Sequence, residues 1–220
     1  MFNLFKKVIK DESLLEQKAD LLKFPEQFSK ICLEGEVCDE VKGANGSFGL
    51  MASNPIPVNG PIGEIKYIGR LRTKNNSALL FHRIGSVTIG AIANPIDVFE
   101  TVSFDGKSWD ILYFHPYHPR RSVKIPKGYS FSPFHDIHSR LPVGFGTTKL
   151  DAVFPFGLGK FIKQDYDIFG DGVFGNKLAE NYENLISQGQ DLKRPLEHIK
   201  KLELVSKQLN NTSYFQIKTY

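Results

Sequence analysis

The sequence predicts an α+β fold, a mainly antiparallel central sheet packed against N-terminal and C-terminal helices, on three observations. Apolar residues recur at helical spacing near both ends of the chain, alternating and wholly apolar runs fill its middle, and Asp105-Gly106 sits between two such runs as a hairpin turn would. With 220 residues, 41% hydrophobic and 24% charged, the chain has enough apolar material for one substantial core and too much for disorder. A single domain over 1–220 is therefore expected. It comprises a helical N-terminal flank (1–40), a sheet (62–125), a Phe/Gly-rich loop region (131–176) and C-terminal helices (177–210).

The helical flank rests on Leu4, Phe5, Val8, Leu14, Leu15, Ala19, Leu21, Leu22, Phe28 and Ile31, with Pro25 breaking the pattern into two helices near Phe24. The first of these, rich in Phe2, Phe5, Lys6, Lys7, Ile9 and Lys10, is also weighed as a membrane-surface turn, and packing against the sheet is preferred. GANGSFG and NPIPVNGP, between Gly43 and Pro61, read as a linker, because Gly, Pro and Asn punctuate regular structure.

From Glu64 to Arg72, apolar Ile65, Tyr67, Gly69 and Leu71 alternate with charged residues as in a half-buried strand, with Ile68 out of pattern. ALLFHRIG is expected to pair with it as a second strand, and VTIGAIA (87–93) to add another. Asp105-Gly106 then suits a two-residue type I′ turn, which sets Val102 opposite Trp109, Glu100 opposite Ile111, Phe99 opposite Leu112 and Val98 opposite Tyr113. Residues 131–176 contain eight Phe and seven Gly without clear periodicity. NKLAENYENLIS and LEHIKKLELVSKQL return to helical spacing, the second beginning at Arg194-Pro195, and SYFQIKTY reads as a final edge strand.

No apolar run is long enough to cross a bilayer, and charge enters the N-terminal stretch too early for a secretion signal, so a cytoplasmic chain is expected. Cys32 and Cys38 fit neither a CxxC pair nor half a zinc site and read as free thiols. The net charge of +4 is concentrated: residues 41–130 hold eleven Lys and Arg against five Asp and Glu, an excess that steers anions toward the sheet.

The chemistry-bearing residues gather in VFETVSFDGKSWDILYFHPYHPRR, residues 98–121. Glu100 shares a strand face with Val98 and Val102, so its carboxylate loses water unless a cation is supplied, and Arg70, Arg72, Arg83, Arg120 and Arg121 are the candidates. Pro116 and Pro119 favour an extended path that sets His115 and His118 roughly 9 Å apart, unless the chain turns at Pro116. His135 and His138 fall on one face of a short helix and are half of a metal site at most, short of a third ligand such as Asp136. A GxGxxG match at 170–175 lacks its βαβ setting, and the Asp165, Asp167 and Asp171 spacing lacks a calcium loop's closing glutamate.

The leading expectation is a non-enzymatic protein that binds a protein or anionic partner through an exposed surface of Trp109, Tyr113, Tyr117, Arg120 and Arg121 with nearby histidines, and uses no cofactor. The alternative is a hydrolase of a phosphorylated or anionic substrate, with His115 or His118 as acid/base, Glu100 orienting it and Arg120 facing the oxyanion. Sequence-tolerant nucleic-acid binding is a third reading, not favoured because no RNP, KH, zinc-finger or helix-turn-helix pattern accompanies the arginines.

Overall fold

The computed structural model describes residues 13–132, 154–156, 176, 180, 183, 184, 187 and 192–209. Helix α1 (Leu14–Leu21) starts at a capping box: Ser13 Oγ accepts from the Glu16 N–H at 3.3 Å and Glu16 Oε2 from the Ser13 N–H at 2.7 Å. Pro25 caps α2 (Glu26–Glu34), since a proline loses nothing where a helix has no N–H partner to offer. Ser29 Oγ donates to the Leu21 carbonyl at 2.7 Å and locks the two helices together. The break expected near Phe24 is thus where the structure puts it.

The segment read as a linker contributes a strand, β1 (Ile56–Pro57). Gly49 makes that possible: its φ is +71°, and a Cβ there meets Ile56 and Pro126 side chains at 2.8 Å. The next expectation is corrected outright. Residues 64–72 are not a strand; Gly60–Arg70 is helix α3, and only Leu71–Thr73 (β2) is extended. Asn59-Gly60-Pro61 supplies the helix start, and Ile65 with Ile68 and Tyr67 with Leu71 fall three and four residues apart on the buried side. Ile68, out of step with the alternation, is completely buried.

Strand β3 (Leu79–Val87) therefore pairs with β4 (Ile96–Ser103), not with residues 64–72. Strand β4 pairs with β5 (Trp109–His115) in the expected register, Val102 with Trp109, Glu100 with Ile111 and Val98 with Tyr113. The turn chemistry differs: the Gly106 N–H bonds to the Ser103 carbonyl at 2.8 Å, and Gly106 has positive φ while Asp105 does not. One left-handed residue following an ordinary turn thus replaces the type I′ pair, with the register unchanged. Of VTIGAIA, only Val87 belongs to a strand.

The four-stranded sheet runs β1-β5-β4-β3; it is mixed, because β1 lies parallel to β5. A separate pair joins β2 to β6 (Tyr129–Phe131). Alternation sends Phe99, Leu112 and Phe114 to one face, where they meet Ile65, Tyr67 and Ile68 of α3. The other face carries Ile96, Val98, Ile111 and Tyr113 and is covered by helix α4 (Leu196–Ser206) through Leu202 and Val205. The class is α+β, with helices from both ends of the described chain on a largely antiparallel sheet. Asn176, Glu180, Glu183, Asn184 and Ser187, within the first helix expected after Gly175, are helical and exposed. The expected SYFQIKTY strand lies outside the described residues.

Candidate functional site

Glu100 points from the middle of β4 to the face that α4 covers, and it is completely buried. The register sets His82 of β3 directly beside it, and the start of α4 brings Arg194 and His198 over it. His82 Nε2 lies 2.7 Å from Oε2 and His198 Nε2 3.0 Å from Oε1, while Arg194 donates through Nε to Oε1 at 2.7 Å and through Nη2 to Oε2 at 2.8 Å. Four N–H groups thus meet the two carboxylate oxygens, which have about four lone-pair sites between them. Burial on its own raises the Glu100 carboxyl's pKa, but the hydrogen bonds from His198, His82 and Arg194 overcome it and hold the group well below its ordinary range.

An ionised carboxylate only accepts, so both imidazoles carry their proton on Nε2. In the neutral ring, His198 then presents Nδ1 as a lone pair. That atom is buried and has no hydrogen-bond partner among the described residues, and the same holds for the Trp109 Nε1–H. The two rings are neighbours, with centroids 5.2 Å apart. Phe154 closes this side, 4.2 Å from the His82 ring and 6.2 Å from Trp109. An acceptor and a donor are thus carried by two neighbouring rings in aromatic surroundings, beside a carboxylate whose charge Arg194 balances.

Sequence reasoning put Glu100 on this buried face and asked for a cation, but none of the five arginines proposed supplies it. The partner is Arg194, 94 residues away. His198, the one histidine left out of the sequence cluster, completes the group. Only the helical spacing of LEHIKKL, which turns His198 and Ile199 inward together, pointed to it.

The exposed recognition surface expected from Trp109, Tyr113, Tyr117, Arg120 and Arg121 is not formed. Trp109 and Tyr113 are 8% and 7% exposed and Arg121 only 2%. Arg120 Nη1 bonds to Asp39 Oδ1 at 2.7 Å, and Tyr117 packs on Phe28 and His115. The reason is the path after β5. Instead of leaving the sheet edge, the chain folds back along β1: the Val58 N–H donates to the His115 carbonyl at 3.0 Å, the His118 N–H to Val58 at 3.2 Å and the Ser122 N–H to Pro57 at 2.8 Å.

That turn also corrects the 9 Å separation. His115 Nδ1 lies 2.7 Å from His118 Nε2, and His118 Nδ1 lies 2.7 Å from the Glu36 carbonyl. The carbonyl only accepts, so His118 carries its proton on Nδ1, accepts from His115 at Nε2, and leaves His115 Nε2 as a buried lone pair without a partner among the described residues. The rings bond to each other and do not converge on one ion. His115 stands four residues along β5 from Ile111, opposite Glu100, about 13 Å at strand rise. Glu100 therefore orients neither His115 nor His118, and Arg120 faces Asp39 instead of joining them.

Among the described residues no three His, Cys, Asp or Glu side chains are arranged to hold a metal. His135, His138, Asp136, the GxGxxG match and the aspartates at 165–171 lie outside the described residues. No described helix is long and apolar enough to cross a membrane, and Cys32 and Cys38 are free. Comparison with protein-family models, with curated proteins and with solved structures returns no match to this chain.

Proposed function

We propose that the chain is an acid–base enzyme of the hydrolase type, centred on Glu100, His198 and Trp109. In this reading His198 Nδ1 takes a proton from an attacking water. Glu100, gripped by Arg194, holds the ring in the Nε2–H tautomer and offsets the charge the ring gains. Trp109 Nε1–H donates to the substrate oxygen on which negative charge develops. The observation that carries the reading is that the buried lone pair of His198 and the buried, unused N–H of Trp109 belong to rings whose centroids are 5.2 Å apart. Buried polar atoms are ordinarily paired, and an unpaired donor beside an unpaired acceptor is the arrangement a hydroxyl or water completes. The excess of cationic residues over 41–130 supports an anionic substrate.

The test is hydrolysis of para-nitrophenyl phosphate and para-nitrophenyl acetate by the full chain and by His198→Gln. The glutamine amide keeps a donor toward Glu100 and removes the Nδ1 base. A loss of about 100-fold or more at unchanged melting temperature is expected. Equal turnover by the two proteins, or none by the wild type on either ester, overturns the reading.

A further inference from the structure

A second buried ionisable group lies on the opposite face of the sheet. Glu64 of α3 is 1% exposed, and its carboxyl is hydrogen-bonded to that of Asp97 on β4. Carboxylate oxygens accept and never donate, so this contact requires a proton between the two groups. Arg83 of β3 fixes where it sits. Its Nη2 donates to Asp97 Oδ1 at 2.6 Å, which places the negative charge on Asp97 and the proton on Glu64. The remaining oxygen, Glu64 Oε1, is buried with no partner among the described residues. Such an atom is tolerable as the carbonyl of a neutral acid and very costly as half of a carboxylate.

We infer that Glu64 and Asp97 form a proton-binding site that clasps α3 to the sheet while one proton is shared between them and loosens it when that proton leaves. The groups facing the pair come from three elements: Arg83 from β3, Cys32 from α2, and Tyr117 from the turn after β5. Burial, then Glu64, pushes the Cys32 thiol up to about 12, and burial, then Asp97, Cys32 and Glu64, raises the Tyr117 hydroxyl. Neither adds positive charge. Deprotonation therefore sets two carboxylates against Arg83.

Burial first, then the Asp97 charge, raises the Glu64 carboxyl well above its ordinary 4.5, against the pull of Arg83. For an acid raised in the folded state, the stability it contributes is complete below 4.5 and is lost as pH climbs through the folded value.

The experiment compares thermal unfolding of wild type and Glu64→Gln between about pH 5 and pH 9. Glutamine donates to Asp97 as the protonated acid does but cannot titrate. The wild-type melting temperature should decline across this range more steeply than that of E64Q, and E64Q should melt higher at the alkaline end. An infrared carbonyl band of un-ionised carboxylic acid should be present in the wild type near neutrality and missing in E64Q. Parallel melting curves, or spectra without that difference, overturn the inference. If E64Q does not fold, the wild type decides: its acid band must fade on raising the pH as amide exchange within α3 accelerates, and absence of the band near neutrality rejects the site.

Discussion

His198 Nε2 lies 3.0 Å from Glu100 Oε1, although 98 residues separate them along the chain. This contact and the Arg194 pair are what fasten the start of α4 to the centre of the sheet. With His82 they bring four N–H groups to the Glu100 carboxylate.

Replacing Glu100 with glutamine should be severe. The change leaves Arg194 buried, at 6% side-chain exposure, without its counter-charge. Removing one partner of a buried ion pair costs about 3–5 kcal/mol. Urea unfolding of E100Q should show that loss, and a change below about 1 kcal/mol would show the pair to be dispensable.

Acid should expose the same group by another route. Because hydrogen bonds depress the folded Glu100 pKa, its stabilisation is present above the ordinary 4.5 and is lost as pH falls toward the folded value. Wild-type stability should therefore drop below pH 4.5 with a steeper slope than that of E100Q, as read by denaturant midpoints along a pH series.

His115 supplies a separate acid-sensitive window. Burial, then the neighbouring His118, lowers its pKa from 6.5 to about 4, so the unfolded chain takes up the proton first. Stability is held above 6.5 and falls as pH drops from there toward 4. In His115→Gln the slope over that interval should flatten, and an unchanged slope would assign the acid loss to other groups.

Trp109→Phe separates chemistry from packing. The indole N–H has no partner to lose among the described residues, so the variant should fold with only the modest cost of a smaller ring. Hydrolytic turnover should nevertheless fall by about 100-fold or more, the usual effect of deleting one donor to a developing oxyanion. Normal turnover would remove Trp109 from the reaction.

Leu202, completely buried beneath the sheet, tests the seating of α4 itself. Leu202→Ala should destabilise by about 2–5 kcal/mol in chemical denaturation. Because the seat of His198 depends on that packing, turnover should fall with stability.

What the sequence disclosed was local. The Asp105-Gly106 register followed from turn length and alternation, and it put Glu100 on its buried face. Helix α3 is masked in the sequence because Ile65, Tyr67, Gly69 and Leu71 satisfy a period of two while also falling within a helical pattern, and because Asn59-Gly60-Pro61, which starts the helix, also suits a loop. HPYHPRR resembles an exposed exit because the backbone partners that fold it back, Val58 for His115 and His118 and Pro57 for the following Ser122, lie more than fifty residues earlier. Arg194 and His198 escaped for the same reason: nothing in the neighbourhood of either residue announces a carboxylate on β4.

The long reach between Glu100 and Arg194 also orders events as the chain is made. At ribosomal rates of about 5–20 residues per second, the 93 intervening residues take roughly 5–20 s to emerge, so Glu100 is made well before the arginine that meets it. Helix α4 cannot close over the sheet before that interval has passed.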